Sequence, residues 1–154
     1  MTIEDDIALL ERIPTLRRLG AAALRILAIG VESFQVTPGY VLFQAGEVAD
    51  GAYVIQRGSF SLKPARSDEP EVVAGAGTLL GEAALLTETR RPATATAREP
   101  SIVMRISRSM FLRMLEGYPD AAQRLRELIA SRSDQWAREV ENVRAALSRN
   151  NLAD

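Results

Sequence analysis

Apolar positions in the first thirty residues recur at helical spacing. Ile7, Leu9, Leu10 and Ile13 give residues 3–13 one apolar side, and Pro14 ends that run. Leu19, Leu24, Leu27 and Ile29 predict a second helix over residues 16–30. From Val31 the period drops to two: Ser33-Phe34-Gln35-Val36 alternates, and Thr37-Pro38-Gly39 is a turn. Further short strands are predicted at residues 40–43, 52–56, 59–63, 71–74, 78–80, 93–97 and 102–106, with a hairpin at Arg57-Gly58. Residues 44–51 read as a loop rich in glycine and acids, and residues 64–70 as a polar tip with the most freedom to move. Helical spacing returns at 108–116 and from Pro119 to about residue 148, where Pro119 suits a first helical position and Asp120 complements the dipole. Many short strands at close spacing predict a mostly β fold with flanking helices. The expected architecture is an antiparallel β-barrel or jelly roll (a double-stranded β-helix) over residues 31–107, between N-terminal helices (1–30) and C-terminal helices (108–148).

Composition narrows the function. At 154 residues, with 47% apolar and 25% charged side chains, the chain reads as one soluble globular domain, residues 1–154. A net charge of −1 gives no overall field toward nucleic acid or membrane. No apolar run approaches the length of a transmembrane helix, and the acidic start Met1-Thr2-Ile3-Glu4-Asp5-Asp6 lacks a signal-peptide pattern, so a cytoplasmic location is expected. Cysteine and histidine are both absent. That removes disulfides, thiolate nucleophiles, the usual zinc and haem ligands and every histidine-based triad. No metal, cofactor or catalytic residue is expected, and no enzyme. Lys63 is the only lysine, which we attribute to genome composition.

The candidate chemistry lies in Leu79-Leu80-Gly81-Glu82-Ala83-Ala84-Leu85-Leu86, followed after four residues by Arg91-Pro92-Ala93-Thr94. A turn at Gly81 lets the backbone approach a ligand closely. The first amides of a short helix over 82–86 lack intrahelical partners and carry partial positive charge. Arg91 supplies a fork of donors that matches phosphate oxygens. Glu82 repels phosphate and suits a hydroxyl such as a ribose 2′-OH. From these residues alone, Arg91 and Glu82 could also pair with each other and close the barrel end without a ligand. Candidate lining residues are Val54, Leu79, Leu80, Leu85 and Ala95, each also suited to plain core packing. Tyr53 reads as a buried strand aromatic, and Thr94 and Thr96 as candidate side-chain contacts.

At these residues the chain resembles the cyclic nucleotide-binding domain family. The family's phosphate-binding cassette is similar in its glycine, its glutamate, Ala84, Leu85, Leu86, the four-residue gap, the arginine, Ala93 and Thr94. Pro38-Gly39, Val41-Leu42-Phe43, Gly46-Glu47, Asp50, Ala52-Tyr53-Val54-Ile55 and Gly58 also fall where members place early strands and turns. The resemblance implies a cassette at 79–94 binding cAMP, with cGMP as the alternative. It implies contacts from Leu80, Gly81, Glu82, Ala83, Ala84, Arg91, Pro92, Ala93, Thr94 and Val54. Two departures stand out. Leu80 replaces an aromatic, and Pro92 stands where the family usually offers a backbone N–H and often a hydroxyl. Proline has neither donor, and a hydrogen bond to a charged group is worth about 1.5–3 kcal/mol, so binding weakens roughly ten- to a hundred-fold. The missing hydroxyl leans toward cAMP.

The long C-terminal helix carries two expectations. Ile129, Trp136 and Val143 recur every seven residues, with Ser133, Val140 and Leu147 interleaved as in a coiled-coil seam. This predicts a homodimer. The family spacing also places a lid near residues 129–133, where Arg132 could stack on the purine. A ligand-sensing module that signals to an unknown effector or through its dimer is the first functional reading. A degenerate domain serving as a dimerisation scaffold is the second. Only residues 150–154 follow the long helix, so neither a helix-turn-helix nor direct DNA binding is expected.

Overall fold

The computed structural model describes residues 2–66, 68–128 and 130. Helix α1 (Ile3–Glu11) starts at a reciprocal cap: the Thr2 hydroxyl accepts from the Asp5 amide and the Asp5 carboxylate accepts from the Thr2 amide. Pro14 does more than end this run. It occupies the first turn of a short helix α2 (Pro14–Arg17), where its missing N–H costs nothing. The single helix expected over 16–30 is therefore two. Gly20 breaks it with φ at +88°, and α3 (Ala21–Gly30) follows. The Arg124 guanidinium fills the break, donating to the carbonyls of Arg18 at 2.7 Å and Leu19 at 3.0 Å. Most of the apolar positions survive this change: Leu10, Leu16, Leu19, Leu24 and Leu27 are all fully buried, whereas Ile29, expected on the same side, is 61% exposed.

The strands are β1 (Glu32–Val36), β2 (Val41–Phe43), β3 (Val48–Ala49), β4 (Gly51–Arg57), β5 (Ser59–Pro64), β6 (Val72–Gly75), β7 (Leu79–Leu80), β8 (Thr89–Arg90), β9 (Ala93–Ala97) and β10 (Ser101–Ser107). They form two four-stranded antiparallel sheets, ordered β1-β10-β4-β7 and β2-β9-β5-β6, and a two-stranded ladder β3-β8. This is a jelly-roll arrangement. The stretch expected as a plain loop at 44–51 thus contains a strand. Its pairing is imposed by the return of residues 89–91, whose main chain bonds it on both sides.

The first sheet is covered on both faces, which explains why β4 and β10 read as nearly continuous apolar runs. Side chains alternate across it. Ile55, Leu80 and Val103 meet Phe43, Phe60, Ala95 and Ala97 of the second sheet in the interior. Ala52, Val54, Met104 and Ile106 face the other way and pack with the helices. Truncating the fully buried Phe60 to alanine would cost about 3–5 kcal/mol. After β10 the chain enters α4 (Arg108–Glu116), capped by the Ser107 hydroxyl, and residues 119–128 are helical.

Candidate functional site

The site is built where the β8–β9 connection passes the loop before β3. The Arg91 amide donates to the Glu47 carbonyl at 2.8 Å, and the Gly46 amide donates to the Arg91 carbonyl at 2.8 Å. The Arg90 side chain reinforces this with a 2.8 Å bond to the Gly46 carbonyl. Thr94 Oγ1 accepts from the Ala45 amide at 2.9 Å, so its oxygen holds the same loop. Arg91 is thereby fixed in position by its own backbone.

Its side chain turns inward and is only 5% exposed. The guanidinium carbon lies 4.4 Å from the Phe43 ring centroid and 5.5 Å from that of Tyr53. Tyr53 in turn meets Phe34 edge-on, with centroids 6.4 Å apart. Arg91 Nη1 has no hydrogen-bond partner among the described residues. A cation–π contact contributes about 0.5–2 kcal/mol, whereas an unsatisfied buried donor costs about 1–3 kcal/mol. The aromatic shelf therefore holds the cation without satisfying it. Burial pushes the Arg91 pKa down, and Arg105 acts in the same direction, while Tyr53, Asp50 and Glu47 act upward. Arginine remains a cation regardless. A buried cation with an open donor is the chemistry of an anion site.

Gly81 borders that donor. It has φ of +84°, and a Cβ added there would lie 2.4 Å from Arg91 Nη1. The residues after it form a single 3-10 turn, Glu82–Leu85. That is shorter than the expected span of 82–86 and changes the donor set. The Ala84 amide bonds back to the Gly81 carbonyl at 3.0 Å, so it is not an outward donor as the sequence suggested. The amides of Glu82 and Ala83 begin the turn, where no intrahelical acceptor exists. Ala83 is exposed and Ala84 buried. The Glu82 carboxylate accepts a 2.6 Å hydrogen bond from Thr15 Oγ1 in α2. Arg91 Nη1, which has no hydrogen-bond partner among the described residues, makes no bond to this carboxylate.

Other expected residues divide by strand parity. Leu80 is 6% exposed and lies on the inner face, in register with Tyr53. Ala95 is inside as well. Val54 is a correction: it follows Tyr53, so it points to the opposite face and packs with the helical core. Leu79, which precedes Leu80 on β7, packs against that outer cluster for the same reason of direction, and Leu85 joins it from the 3-10 turn. Ala93 and Thr94 are half-buried on β9, and Pro92 is exposed. Arg132 and the expected seam from Ile129 through Ser133, Trp136, Val140, Val143 and Leu147 lie outside the described residues.

Four contributors escaped the sequence reading: Phe43 and Phe34 in the aromatic shelf, Thr15 on Glu82, and Arg108. The first residue of α4, Arg108, directs one guanidinium nitrogen at the carbonyls of Ala49 (3.0 Å), Ala84 (3.3 Å) and Thr87 (3.1 Å). It ties the turn after Gly81 to α4. No local pattern signals such long-range partners. Among the described residues there is no cluster able to hold a metal ion, and no helix is long and apolar enough to cross a membrane.

Comparison with known proteins identifies the family and the fold. The model of the cyclic nucleotide-binding domain matches residues 33–118, more than half of the chain. An uncharacterized protein of Mycobacterium tuberculosis is 40% identical over 102 residues, covering 66% of this chain. The match spans only 19% of that protein's length. A cyclic nucleotide-binding-like protein from Brucella abortus is 39% identical, with a TM-score of 0.65 over 73% of this chain and 98% of that one. The N-terminal domain of a transcriptional regulator from Streptomyces coelicolor shares the fold at 24% identity, with a TM-score of 0.78 over 86% of this chain and 94% of that one. With the jelly roll and these matches in agreement, the chain belongs to the cyclic nucleotide-binding domain family.

Proposed function

We propose that this domain senses cAMP and passes binding on through its C-terminal helices. The observation that carries this reading is Arg91: buried, stacked on Phe43, with Nη1 open beside Gly81. A cyclic phosphate would satisfy that donor and neutralise the buried charge. The first amides of the 3-10 turn and the Glu82 carboxylate would take the phosphate edge and a ribose hydroxyl. Pro92 adds no donor, so neither an amide nor a hydroxyl at that position favours cGMP. Leu80 and Ala95 supply apolar wall. Inward movement of the turn would pull on the Ala84 and Thr87 carbonyls that Arg108 holds, and so on α4. The ligand shifts this equilibrium only by its differential affinity for the two states. The output is a change in a dimer formed through the C-terminal helix, or in an effector protein.

Calorimetric titration of cAMP and then cGMP, with Arg91→Ala as control, tests the reading. Loss of the arginine leaves a bound anion unpaired and costs about 2–5 kcal/mol. That is roughly thirty- to several-thousand-fold in affinity. No binding of either nucleotide at millimolar concentration would sink the proposal. It would favour a second reading, a scaffold that has lost its ligand, which Pro92 already supports by removing one phosphate donor.

A further inference from the structure

The open donor on Arg91 has a nearby carboxylate that does not take it. Asp50 immediately precedes Gly51 at the start of β4. The Gly51 carbonyl and Arg91 Nη1 both border the point that a Gly81 Cβ would occupy, at 3.5 and 2.4 Å. The negative charge of Asp50 is felt at Arg91, where it favours the cation. Yet Asp50 Oδ2 accepts instead from Arg105 Nη2, at 2.7 Å.

Arg105 is delivered there by register. Glu32 pairs with Arg105, Arg105 with Tyr53, and Tyr53 with Leu80, so one cross-strand row runs over the inner face of the sheet. Arg105 thus rises on the same face as Tyr53, which carries Arg91. Its second nitrogen lies 4.0 Å from Glu32. The Asp50 main chain is pinned as well, its carbonyl accepting from the Arg108 amide at 2.8 Å. Two arginines meet several carboxylates here: the charges of Asp50 and Glu47 both act on Arg91, Glu32 lies near Arg105, and Asp50 is committed to the more exposed arginine, Arg105.

We infer that Arg105 is a positioning residue that sequesters Asp50 and so keeps Arg91 open for an anion. It touches no ligand in this scheme and acts through Asp50. Without Arg105, Asp50 is released, and its charge, which already acts on Arg91, competes with the ligand for the open donor. The inference rests on the anion-binding reading of Arg91, and its test separates the two.

The variants are Arg105→Gln, Arg105→Lys, Asp50→Asn and the double variant Arg105→Gln/Asp50→Asn. One readout is cAMP affinity by calorimetry. The other needs no ligand: guanidinium-resolved NMR of Arg91 in the free protein, where a carboxylate partner slows rotation about the Nε–Cζ bond. Arg105→Gln is expected to weaken cAMP about ten- to a hundred-fold, the range of coupling within one charge network, and to slow Arg91 rotation. Both effects must reverse in the double variant, because a neutral amide in place of the Asp50 carboxylate cannot compete with an anion. Arg105→Lys keeps a cation on Asp50 and retains most of the affinity, which also covers the case in which the glutamine variant folds poorly. An Arg91 signal unchanged by Arg105→Gln, or a double variant no better than the single one, overturns the inference. If the unaltered protein binds no cyclic nucleotide, the cAMP reading fails and the NMR arm alone decides the role of Arg105.

Discussion

Replacing Gly81 with alanine tests the close approach on which the site depends. Two separate terms oppose the methyl group. The backbone at this residue has φ of +84°, where a side chain costs about 1–2 kcal/mol. Lower entropy of the unfolded chain returns about 0.4–1 kcal/mol of that. The second term is steric: the new Cβ would sit 2.4 Å from Arg91 Nη1. Comfortable contact needs about 3.5 Å, so the guanidinium must retreat by about 1 Å. It has little room, because its carbon already lies 4.4 Å from the Phe43 centroid. Loss of part of that stacking adds about 0.5–2 kcal/mol. The sum is a destabilisation of roughly 1–3 kcal/mol, or about 2–10 °C in Tm for a chain of this size. On the proposed reading the displaced arginine would also lose a charge-assisted bond to the ligand, about 1.5–3 kcal/mol, which would weaken cAMP roughly ten- to a hundred-fold. Urea unfolding of Gly81→Ala in the natural and the Arg91→Ala backgrounds separates the terms. With Arg91 truncated, only the backbone term should remain. An equal stability cost in both backgrounds, together with unchanged cAMP affinity in Gly81→Ala, would refute the close approach.

Three further outcomes follow from particular contacts. Pro92→Ser restores an amide and a hydroxyl beside the cassette arginine, and should tighten cyclic nucleotide binding about tenfold in calorimetry. Thr15→Val removes the 2.6 Å bond to the Glu82 carboxylate. It should lower stability by about 1–2 kcal/mol in urea unfolding and leave the Arg91 stacking shift intact by NMR. Asp5 is held below its ordinary pKa by the Thr2 amide first and the Thr2 hydroxyl second. Because the folded pKa is the lower one, this contribution is present above about pH 4 and is lost as pH falls through the folded value. A carboxyl-carbon NMR titration should show Asp5 titrating below its ordinary value, and Thr2→Ala should bring it back only part of the way, because the Thr2 amide, the larger cause, is retained.

Sequence periodicity was enough for most element types, though not for the two-residue strands β3 and β8, which it did not predict. The alternation at Phe34 and Val36, the apolar runs of β4 and β10 and the helical spacing of Leu24 and Leu27 each reflect local geometry, since residue spacing decides which side chains share a face. That Gly81 and Arg91 come together was within reach of the sequence too, because they lie within one short stretch of chain. What periodicity could not supply was direction and partner. Val54 and Tyr53 are adjacent apolar residues in a strand covered on both faces, so composition offers no clue to which one points inward. The break at Gly20 was hidden because the leucines on either side keep a shared apolar face.

The residues that give the site its character come from far apart. Thr15 reaches Glu82, Arg108 reaches Ala84 and Thr87, and Arg105 reaches Asp50. Each bond joins a side chain to a group whose position is set by strand register or helix docking, neither of which is written in nearby sequence. By itself, the sequence determined that a small helix-flanked β domain carries an arginine suited to a phosphate. Only the tertiary structure decided that this arginine is buried on an aromatic shelf with a donor left open. Folding placed Arg105 against Asp50, a long-range contact that no local pattern encodes, and set Gly81 against the guanidinium in a geometry that the spacing alone did not show.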